Sequence, residues 1–294
     1  MPNSTTPEKE NLRGSLWMIA SMAGFAIEDS LLKIATQSLS VSQVLVMFGV
    51  LGALVFFIQT RLQKTPVFST AALAPTLRIR IVFEFTGRLF YVLALAMSSL
   101  SGTTVILQAT PLVVVAAAAL FMGEPVGWRR WLAIIIGLIG VLIVLRPSSN
   151  DFSALSFLAV IGMLGFAGRD LASRAAPASV TPTLLGFYGF ITLILAGVCY
   201  GVVERREYQV PETYTAIVLI AAVFVGVFSY TSLMKAMRTG EVSVVTPFRY
   251  VRLIFGITLG VLVFEEPLDP PMIWGSIIIV SAGLFLLMRN NMRV

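Results

Sequence analysis

Long apolar runs separated by short polar breaks dominate the chain. Two of them, Leu132–Leu145 and Ile273–Met288, contain no charged residue. A helix needs roughly 20 mostly apolar residues to cross the hydrocarbon layer, where its backbone polar groups must be satisfied inside the helix. A transmembrane β-barrel would instead show short segments of alternating polarity. The pattern therefore predicts an all-α integral membrane protein.

The runs and their breaks predict ten transmembrane helices, numbered here as spans 1 to 10. The breaks carry helix-stop and turn signals, such as Gly123-Glu124-Pro125 and Glu265-Glu266-Pro267. We place the spans at 14–36, 42–62, 77–98, 102–122, 128–146, 153–175, 182–203, 213–236, 242–264 and 270–289. None of the loops is long enough for a soluble domain, so we expect the function to reside inside the membrane.

Composition and charge agree with a lipid environment. Charged residues make up 12% of the chain, whereas a soluble domain averages about 25%. The net charge of +6 comes with no basic patch interleaved with aromatic residues, so we expect no nucleic-acid partner. We interpret the excess as the cytoplasmic bias of Lys and Arg.

The distribution of Lys and Arg predicts the orientation. With the amino terminus inside, the inner segments and helix ends hold 13 of the 21 basic residues, the outer ones hold 4, and 4 lie within spans. The outer group comprises Lys33, Arg146, Arg205 and Arg206. This asymmetry predicts that both termini are cytoplasmic. We expect the protein to lie in the cell inner membrane.

Several kinds of catalytic site lack the residues they need. The sequence has no histidine and a single cysteine, Cys199, so Ser/His and Cys/His dyads and the usual zinc sites are excluded. No Walker A pattern is present, so ATP does not drive the protein directly. We expect no enzymatic activity, no metal and no cofactor, although a membrane enzyme that uses only carboxylates stays an alternative.

The two halves of the chain repeat each other. Met22-Ala-Gly24-Phe25-Ala26 in span 1 recurs as Met163-Leu-Gly165-Phe166-Ala167 in span 6, at an offset of 163 − 22 = 141 residues. The Glu-Pro pairs that close spans 4 and 9 lie 266 − 124 = 142 residues apart. These offsets predict two five-helix units, at 14–146 and 153–289. Because five is odd, the units must cross the bilayer in opposite directions, which is typical of secondary transporters.

On these motifs the chain resembles the drug/metabolite transporter superfamily, and within it the EamA family. The carriers of the resemblance are Met22–Ala35 with its copy Met163–Ala176, the two Glu-Pro signatures, and Val242–Tyr250 at the start of span 9. The resemblance covers nearly the whole chain. It implies a ten-helix carrier whose central cavity is lined by spans 1, 3, 4, 6, 8 and 9. Among its members, the YddG-type exporters of aromatic amino acids are the most similar in character.

Polar side chains within the spans are candidates for the substrate pathway. An ionisable group in mid-span costs roughly 2.5–3.5 kcal/mol on insertion scales, so its presence needs a reason. Tyrosine and glutamine can stack on an organic solute or hydrogen-bond to it. The candidates are Glu28, Asp29, Glu84, Arg88, Tyr91, Gln108, Arg169, Asp170, Tyr230, Arg249, Tyr250 and Arg252.

The charged candidates can also be explained structurally. Residues four apart share a helix face, and three acid–base pairs have this spacing: Asp29 with Lys33, Glu84 with Arg88, and Asp170 with Arg174. Such pairs either neutralise one another and hold the bundle together, or line the path of a polar solute. The sequence leaves both readings open.

Two local arguments narrow the geometry. Glu28 and Asp29 are adjacent and point about 100° apart on a helix, so we expect at most one of them to face the cavity squarely. Arg249 and Arg252 are three apart on one face, which suits either a carboxylate ligand or an ion pair with the acids of spans 1 and 3.

Prolines, glycines and span-end glutamates predict structural features. Pro111 and Pro247 lie inside spans 4 and 9, where a proline bends the helix, so they are candidate gating kinks or fixed bends. Gly256-Ile-Thr-Leu-Gly260 predicts close helix packing. For Glu124 and Glu266 we expect a capping or loop-fixing role.

The function predicted from the sequence is secondary transport of a small organic solute by alternating access. From the resemblance we expect export of an amino acid, aromatic or otherwise neutral. Uptake or exchange of another metabolite and a channel-like facilitator are the alternatives, although no filter-like motif is present. The expected partners are the small-molecule substrate and the lipid bilayer, and we expect a monomer or weak homodimer.

Overall fold

A computed structural model describes residues 7–64, 66–67, 74–123, 126–145, 155–175, 177, 180–239 and 245–288. All regular secondary structure within these ranges is helical, which confirms the all-α fold class. The α-helices, in chain order, are α1 (Pro7–Ser38), α2 (Val41–Leu62), α3 (Pro75–Met97), α4 (Leu100–Leu107), α5 (Thr110–Met122), α6 (Trp128–Leu145), α7 (Ser156–Arg174), α8 (Pro182–Glu204), α9 (Thr213–Arg238), α10 (Val251–Phe264) and α11 (Pro270–Met288). A 3₁₀ helix at Thr246–Tyr250 precedes α10 directly.

Helix starts follow from residues that satisfy or remove free backbone N–H groups. The hydroxyls of Ser40, Ser99 and Thr181 accept hydrogen bonds from the first turns of α2, α4 and α8. Proline opens α3 and α8, where its missing N–H would have had no helical acceptor. These caps place the polar breaks between spans close to their predicted positions.

Two predicted spans are broken helices. Span 4 is split into α4 and α5 by Gln108 and Ala109, just before Pro111. Span 9 is described from residue 245 onward and starts with the 3₁₀ turn that contains Pro247. A proline removes one backbone donor and crowds the preceding turn, which accounts for both irregularities. The breaks coincide with the predicted kinks, whereas a gating role stays a prediction.

Length and composition mark several helices as membrane spans. Within the described residues, five segments are long and apolar enough to cross a bilayer: Val41–Leu62, Leu100–Phe121, Ser156–Ser173, Pro182–Glu204 and Thr213–Ala236. Trp131–Leu145 and Pro270–Phe285 are shorter apolar helices. Helices α1 and α3 carry more charge, and several of their charged side chains are buried within the bundle. Burial against protein keeps these charges away from lipid.

Packing of the helices is symmetric under exchange of the two halves. Span 1 packs on span 8 (α1 on α9), and correspondingly span 6 packs on span 3 (α7 on α3). Span 2 packs on span 7 (α2 on α8), span 5 on span 10 (α6 on α11), and span 4 on span 9 (α4 on α10). Each of these three pairs joins equivalent spans. This is the two-repeat architecture, and the unit boundaries at 14–146 and 153–289 stay predictions.

The predicted glycine contact lies where spans 4 and 9 meet. A Cβ at Gly256 would collide with the side chain of Thr104, and one at Gly260 would collide with Ser101. Helix α10 therefore approaches α4 more closely than any larger residue would allow, which confirms the packing role of this motif.

One face of the bundle is closed by polar contacts. We name the face at which α1 begins face A, and the face at which α1 ends face B. At face B the Glu266 carboxylate accepts hydrogen bonds from the N–H groups of Leu100 (2.6 Å) and Ser101 (2.8 Å) at the start of α4. Lys33 lies 3.8 Å from Glu266 and donates to the carbonyls of Leu95 and Ser98.

A second carboxylate contributes to this closure. Glu204 accepts from the N–H groups of Val41 (3.1 Å) and Ser42 (2.9 Å) at the start of α2. Helix N-termini carry a partial positive charge, so both glutamates are well placed. The capping role expected for Glu266 is confirmed, while Glu124 lies outside the described residues.

Candidate functional site

A central cavity lies between the two halves of the bundle, with about 820 Å³ of atom-free space including its open mouth. Its walls come from α1, α3, the α4–α5 break, α7, α9 and the start of span 9. These are spans 1, 3, 4, 6, 8 and 9, the same six that the family resemblance implies. The site is therefore built where the two repeats face each other.

Exposure of the charged side chains falls with depth. Arg249 and Asp170, both near the face A ends of their spans, keep 32% and 25% of their side-chain surface exposed. Asp29 and Glu84, in the middle of α1 and α3, are 4% and 3% exposed. The cavity therefore opens toward face A. The polar contacts of face B close its other end.

Asp29 ties span 1 to span 9. Its Oδ2 accepts from a terminal nitrogen of Arg252 at 2.6 Å and from the hydroxyl of Tyr91 at 2.9 Å. The i,i+4 partner expected from the sequence, Lys33, instead bonds to carbonyls and to Glu266 at face B. Asp29 is thus held by two deep groups from other spans.

Glu84 stands at the centre of an arginine cluster. Its carboxylate lies 3.0 Å from Arg80, 3.4 Å from Arg88 and 3.4 Å from Arg169. The expected pair with Arg88 is present, but Glu84 lies behind the lining of the cavity. A buried carboxylate that serves three guanidinium groups joins span 3 to span 6 and orients the arginines that do reach the cavity.

Arg80 belongs to the charged cluster behind the cavity and is absent from the candidates named from the sequence. It lies near the start of α3 and is only 4% exposed. It bonds to Glu84 and donates to the hydroxyl of Ser173 at 3.0 Å. Its position four residues before Glu84 was the available signal, the same spacing that identified Arg88.

The mouth of the cavity holds the loosest ion pair. Arg169 binds Asp170 at 2.8 Å and also reaches Glu84. Arg249 lies 3.8 Å from the other oxygen of Asp170. Among the described ion pairs of the cavity, only this one is longer than 3.4 Å. The side chain of Arg174, proposed as a partner of Asp170, lies outside the described part.

Glu28 and Asp29 both line the cavity, and the expectation that at most one of them faces it squarely stays a prediction. Glu28 accepts from Arg88 at 3.3 Å, which connects span 1 to the Glu84 cluster.

Two phenylalanines of the repeated motif also reach the cavity. Phe25 and Phe166 occupy equivalent places in the two halves, within the motif that identifies the repeat. The guanidinium of Arg252 lies 5.2 Å from the centre of the Phe25 ring, and that of Arg169 lies 4.7 Å from the centre of the Phe166 ring. Each repeat thus supplies an aromatic face beside an arginine.

The uncharged candidates take different places around the same space. Gln108, at the break between α4 and α5, donates to the carbonyl of Arg249 at 3.2 Å. Tyr230 donates to the carbonyl of Pro182 at 3.2 Å. Tyr250 is buried, with its hydroxyl against Gly283. The first contact joins the two broken spans at the wall of the cavity.

The structure brings most of the predicted site residues together. The cavity is lined by Glu28, Asp29, Arg88, Tyr91, Gln108, Arg169, Asp170, Tyr230, Arg249, Tyr250 and Arg252, and also by Pro111. Glu84 lies one layer behind, and the side chain of Pro247 falls outside the description. Such a cavity can hold a polar organic solute between guanidinium groups, carboxylates and aromatic rings.

Known transporters resemble this chain along most of its length. An S-adenosylmethionine uptake transporter of Rickettsia prowazekii (strain Madrid E) is 23% identical, over 71% of this chain and 70% of that protein. A riboflavin transporter of Vibrio cholerae is 26% identical, over 94% and 93%. The pseudopaline exporter CntI of Pseudomonas aeruginosa is 24% identical, over 93% and 95%.

A solved crystal structure has the same fold. It matches with a TM-score of 0.59, over 91% of this chain and 97% of that chain, at 16% sequence identity. At this identity the likeness shows the fold alone.

The family itself follows from both halves of the chain. The sequence model of the EamA-like transporter family matches residues 12–146 and again residues 154–289. These stretches carry the repeated motifs and every residue of the cavity. The chain therefore belongs to the EamA-like transporter family, and it is a multi-pass membrane transporter of the drug/metabolite transporter superfamily.

Proposed function

We propose that this protein is a secondary carrier that moves amino acids or amino-acid-like zwitterions by alternating access. The observation that carries the proposal is the loose pair between Arg249 and Asp170 at the mouth of the cavity. The other described ion pairs of the cavity span 2.6–3.4 Å, whereas this one spans 3.8 Å on the two most exposed side chains.

A zwitterion fits this pair at both ends. Arg249 can donate to the solute carboxylate with a planar fork of N–H groups, and Asp170 can accept from the solute ammonium. The solute replaces a weak internal contact with two charge-assisted hydrogen bonds, so its entry leaves no charge unpaired. Phe25 and Phe166 offer ring faces to an aromatic or apolar side chain.

The broken helices support alternating access. Gln108 and Arg249 meet at the wall of the cavity, where spans 4 and 9 lose regular helical structure. Irregular backbone at membrane depth is tolerated where it lines a binding site between inverted repeats. Rocking of the two halves about this point would close face A and open face B.

The direction of transport stays open to measurement. Resemblance to exporters of aromatic amino acids favours export, and a cavity open toward the predicted cytoplasmic face is the loading state of an exporter. The relatives named above include an uptake transporter and an exporter.

A proteoliposome panel tests the proposal. It offers L-phenylalanine, L-threonine, riboflavin, S-adenosylmethionine and UDP-glucose, each as uptake and as counterflow, with and without a pH gradient. We expect saturable transport and counterflow of at least one amino-acid-like solute. Flux without saturation or counterflow would point to a channel-like facilitator, and exclusive transport of UDP-glucose would refute the zwitterion class.

Substitutions then locate the site. We expect Arg249→Ala to raise KM roughly tenfold to a hundredfold, since a hydrogen bond to a charged group contributes about 1.5–3 kcal/mol. Asp170→Asn should weaken the binding of amino acids more than the binding of solutes without an ammonium group. The matched control is Arg205→Ala at the exposed end of α8. If Arg249→Ala, Arg252→Ala and Tyr250→Phe, each expressed normally, all transport with wild-type parameters, the substrate path lies elsewhere.

A further inference from the structure

Glu28 differs from the other acidic residues of the site in its hydrogen bonding. The residue is 2% exposed. Its Oε1 accepts from Arg88 at 3.3 Å, whereas its buried Oε2 has no hydrogen-bond partner in the part of the chain that the structure describes. Asp29, Glu84 and Asp170 each lie within 3.0 Å of at least one guanidinium group. Glu28 is therefore the least satisfied carboxyl group of the cavity.

The groups near Oε2 on α2 and α9 are apolar or backbone. A Cβ built at Gly226 of α9 would lie 3.1 Å from Oε2 and 3.3 Å from the ring of Phe48 in α2. Helices α2 and α9 thus face the oxygen with an aromatic ring and a glycine backbone.

The charged groups around Glu28 come from three helices. Asp29 is its neighbour on α1, Arg88 comes from α3, and Arg252 of α10 is occupied by Asp29 at 2.6 Å. Arg88 is shared with Glu84 at 3.4 Å. A buried carboxylate loses most of its hydration. Glu28 shares its arginine with Glu84 and keeps one unpaired oxygen, so its protein contacts replace the lost hydration only in part. Binding a proton removes that cost.

We propose that Glu28 is the proton-binding site that couples transport to a proton gradient, an inference that rests on the proposed function. One proton passes from water in the cavity to the Glu28 carboxylate, and no other bond forms or breaks. The neutral carboxyl group holds Arg88 less strongly, which leaves Arg88 free to donate to the carboxylate of the solute. Proton and solute thereby favour each other's binding, and this coupling is reciprocal.

The coupling determines which way the gradients act. Proton and solute cross together, and the proton returns to solution on the far side when the solute leaves and Arg88 pairs with Glu28 again. The solute therefore follows the proton gradient. In a cell that is more acidic outside, this drives uptake, so the inference also opposes the export expected from the resemblance.

The proton site can be tested without any solute. Infrared difference spectra of the purified protein in lipid are recorded between about pH 5.5 and about pH 8.5, a range that spans shifted carboxyl titrations. We expect a carboxylic acid C=O band of a weakly hydrogen-bonded group that disappears in Glu28→Gln and moves in Glu28→Asp. The control is Glu212→Gln at the exposed start of α9. If Glu28→Gln is unstable, the shift in Glu28→Asp alone identifies the band.

The coupling is tested in proteoliposomes with radiolabelled L-phenylalanine at zero membrane potential. For one proton per solute, each unit of pH difference supports about a tenfold accumulation by wild type, since 1.4 kcal/mol is tenfold. We expect Glu28→Gln to equilibrate the solute with no accumulation. An unchanged infrared band in both Glu28 variants, or wild-type accumulation by Glu28→Gln, overturns the inference.

The two proposals fail in different ways. A Glu28 band together with no transport of any panel solute keeps the proton site and refutes the substrate class. If transport does not depend on the pH gradient and no Glu28 band appears, the proton site is refuted and the carrier function stands.

Discussion

Removing the carboxylate of Glu266 should open face B. This side chain joins the end of span 9 to the start of span 4 through two backbone N–H groups at 2.6 and 2.8 Å, and it lies 3.8 Å from Lys33. In a state open at face B, water would solvate the Glu266 carboxylate and the N–H groups that it binds. The contact therefore stabilises the closed form only by the difference between its free energy and that of these water contacts. A hydrogen bond to a charged group contributes about 1.5–3 kcal/mol net, and helix capping about 0.5–2 kcal/mol.

We therefore expect Glu266→Ala to disfavour the closed form by about 2 kcal/mol or more, which is roughly a 30-fold change in the equilibrium constant. Starting from a minor state of about 1%, the open form would rise to roughly a quarter of the molecules. Glu266→Gln keeps one acceptor oxygen but loses the charge, so its effect should be intermediate.

Spin labels at Met97→Cys and Leu268→Cys, in a Cys199→Ser background, report this opening. These exposed residues flank the contact, at the end of α3 and in the loop after α10. We expect pulsed electron resonance to show a second, longer distance in Glu266→Ala. The matched control is Glu265→Gln, an exposed neighbour in the same loop. A distance distribution in Glu266→Ala equal to that of the control would refute the closing role.

Three further predictions concern orientation, the buried cluster and packing. Single cysteines at Ser4 and Asn291, in a Cys199→Ser background, should react with an impermeant thiol reagent only after the cells are permeabilised; strong labelling of intact cells would contradict cytoplasmic termini. Glu84→Gln leaves three guanidinium groups around a neutral amide and should lower the free energy of unfolding by about 3–5 kcal/mol. Thermal unfolding measures this against the control Glu212→Gln, and an unchanged Tm would refute the central role of the Glu84 carboxylate. Gly260→Leu should abolish the peak of folded protein on size exclusion, because the new side chain would collide with Ser101 and Glu266. The control Leu262→Val, at an exposed position, should keep that peak, and a monodisperse Gly260→Leu protein would disprove the close contact.

The architecture was readable from the sequence because hydrophobic runs, prolines and the repeat act locally. The runs at Leu132–Leu145 and Ile273–Met288 have no alternative to a helix in lipid, and the 141-residue offset between Met22 and Met163 needs no structure to detect. The break in span 4 follows from Pro111 in the same way. Such features depend on a few neighbouring residues.

The pairing of charges was less predictable because it depends on which spans meet. Helical spacing suggested Lys33 for Asp29, whereas the actual partner, Arg252, is 223 residues away. Only the packing of span 1 against span 9 brings these two together. The i,i+4 rule succeeded for Glu84 and Arg88 because both lie on one face of α3, and the same rule applied backwards would have found Arg80.

The charge arrangement of the cavity favours a carrier over a set of ion pairs that only hold the bundle together. Ion pairs that only hold the bundle together would stabilise it most if all of them were short and buried. The deep contacts of Asp29 and Glu84 have that form. The pair of Arg249 with Asp170 is longer, at 3.8 Å, and more exposed, so we expect it to contribute little to stability. In the proposed carrier, a solute that exchanges partners with this pair gains two strong contacts for the loss of one weak one. Binding is then favourable but limited, which lets the solute leave on the other side of the membrane.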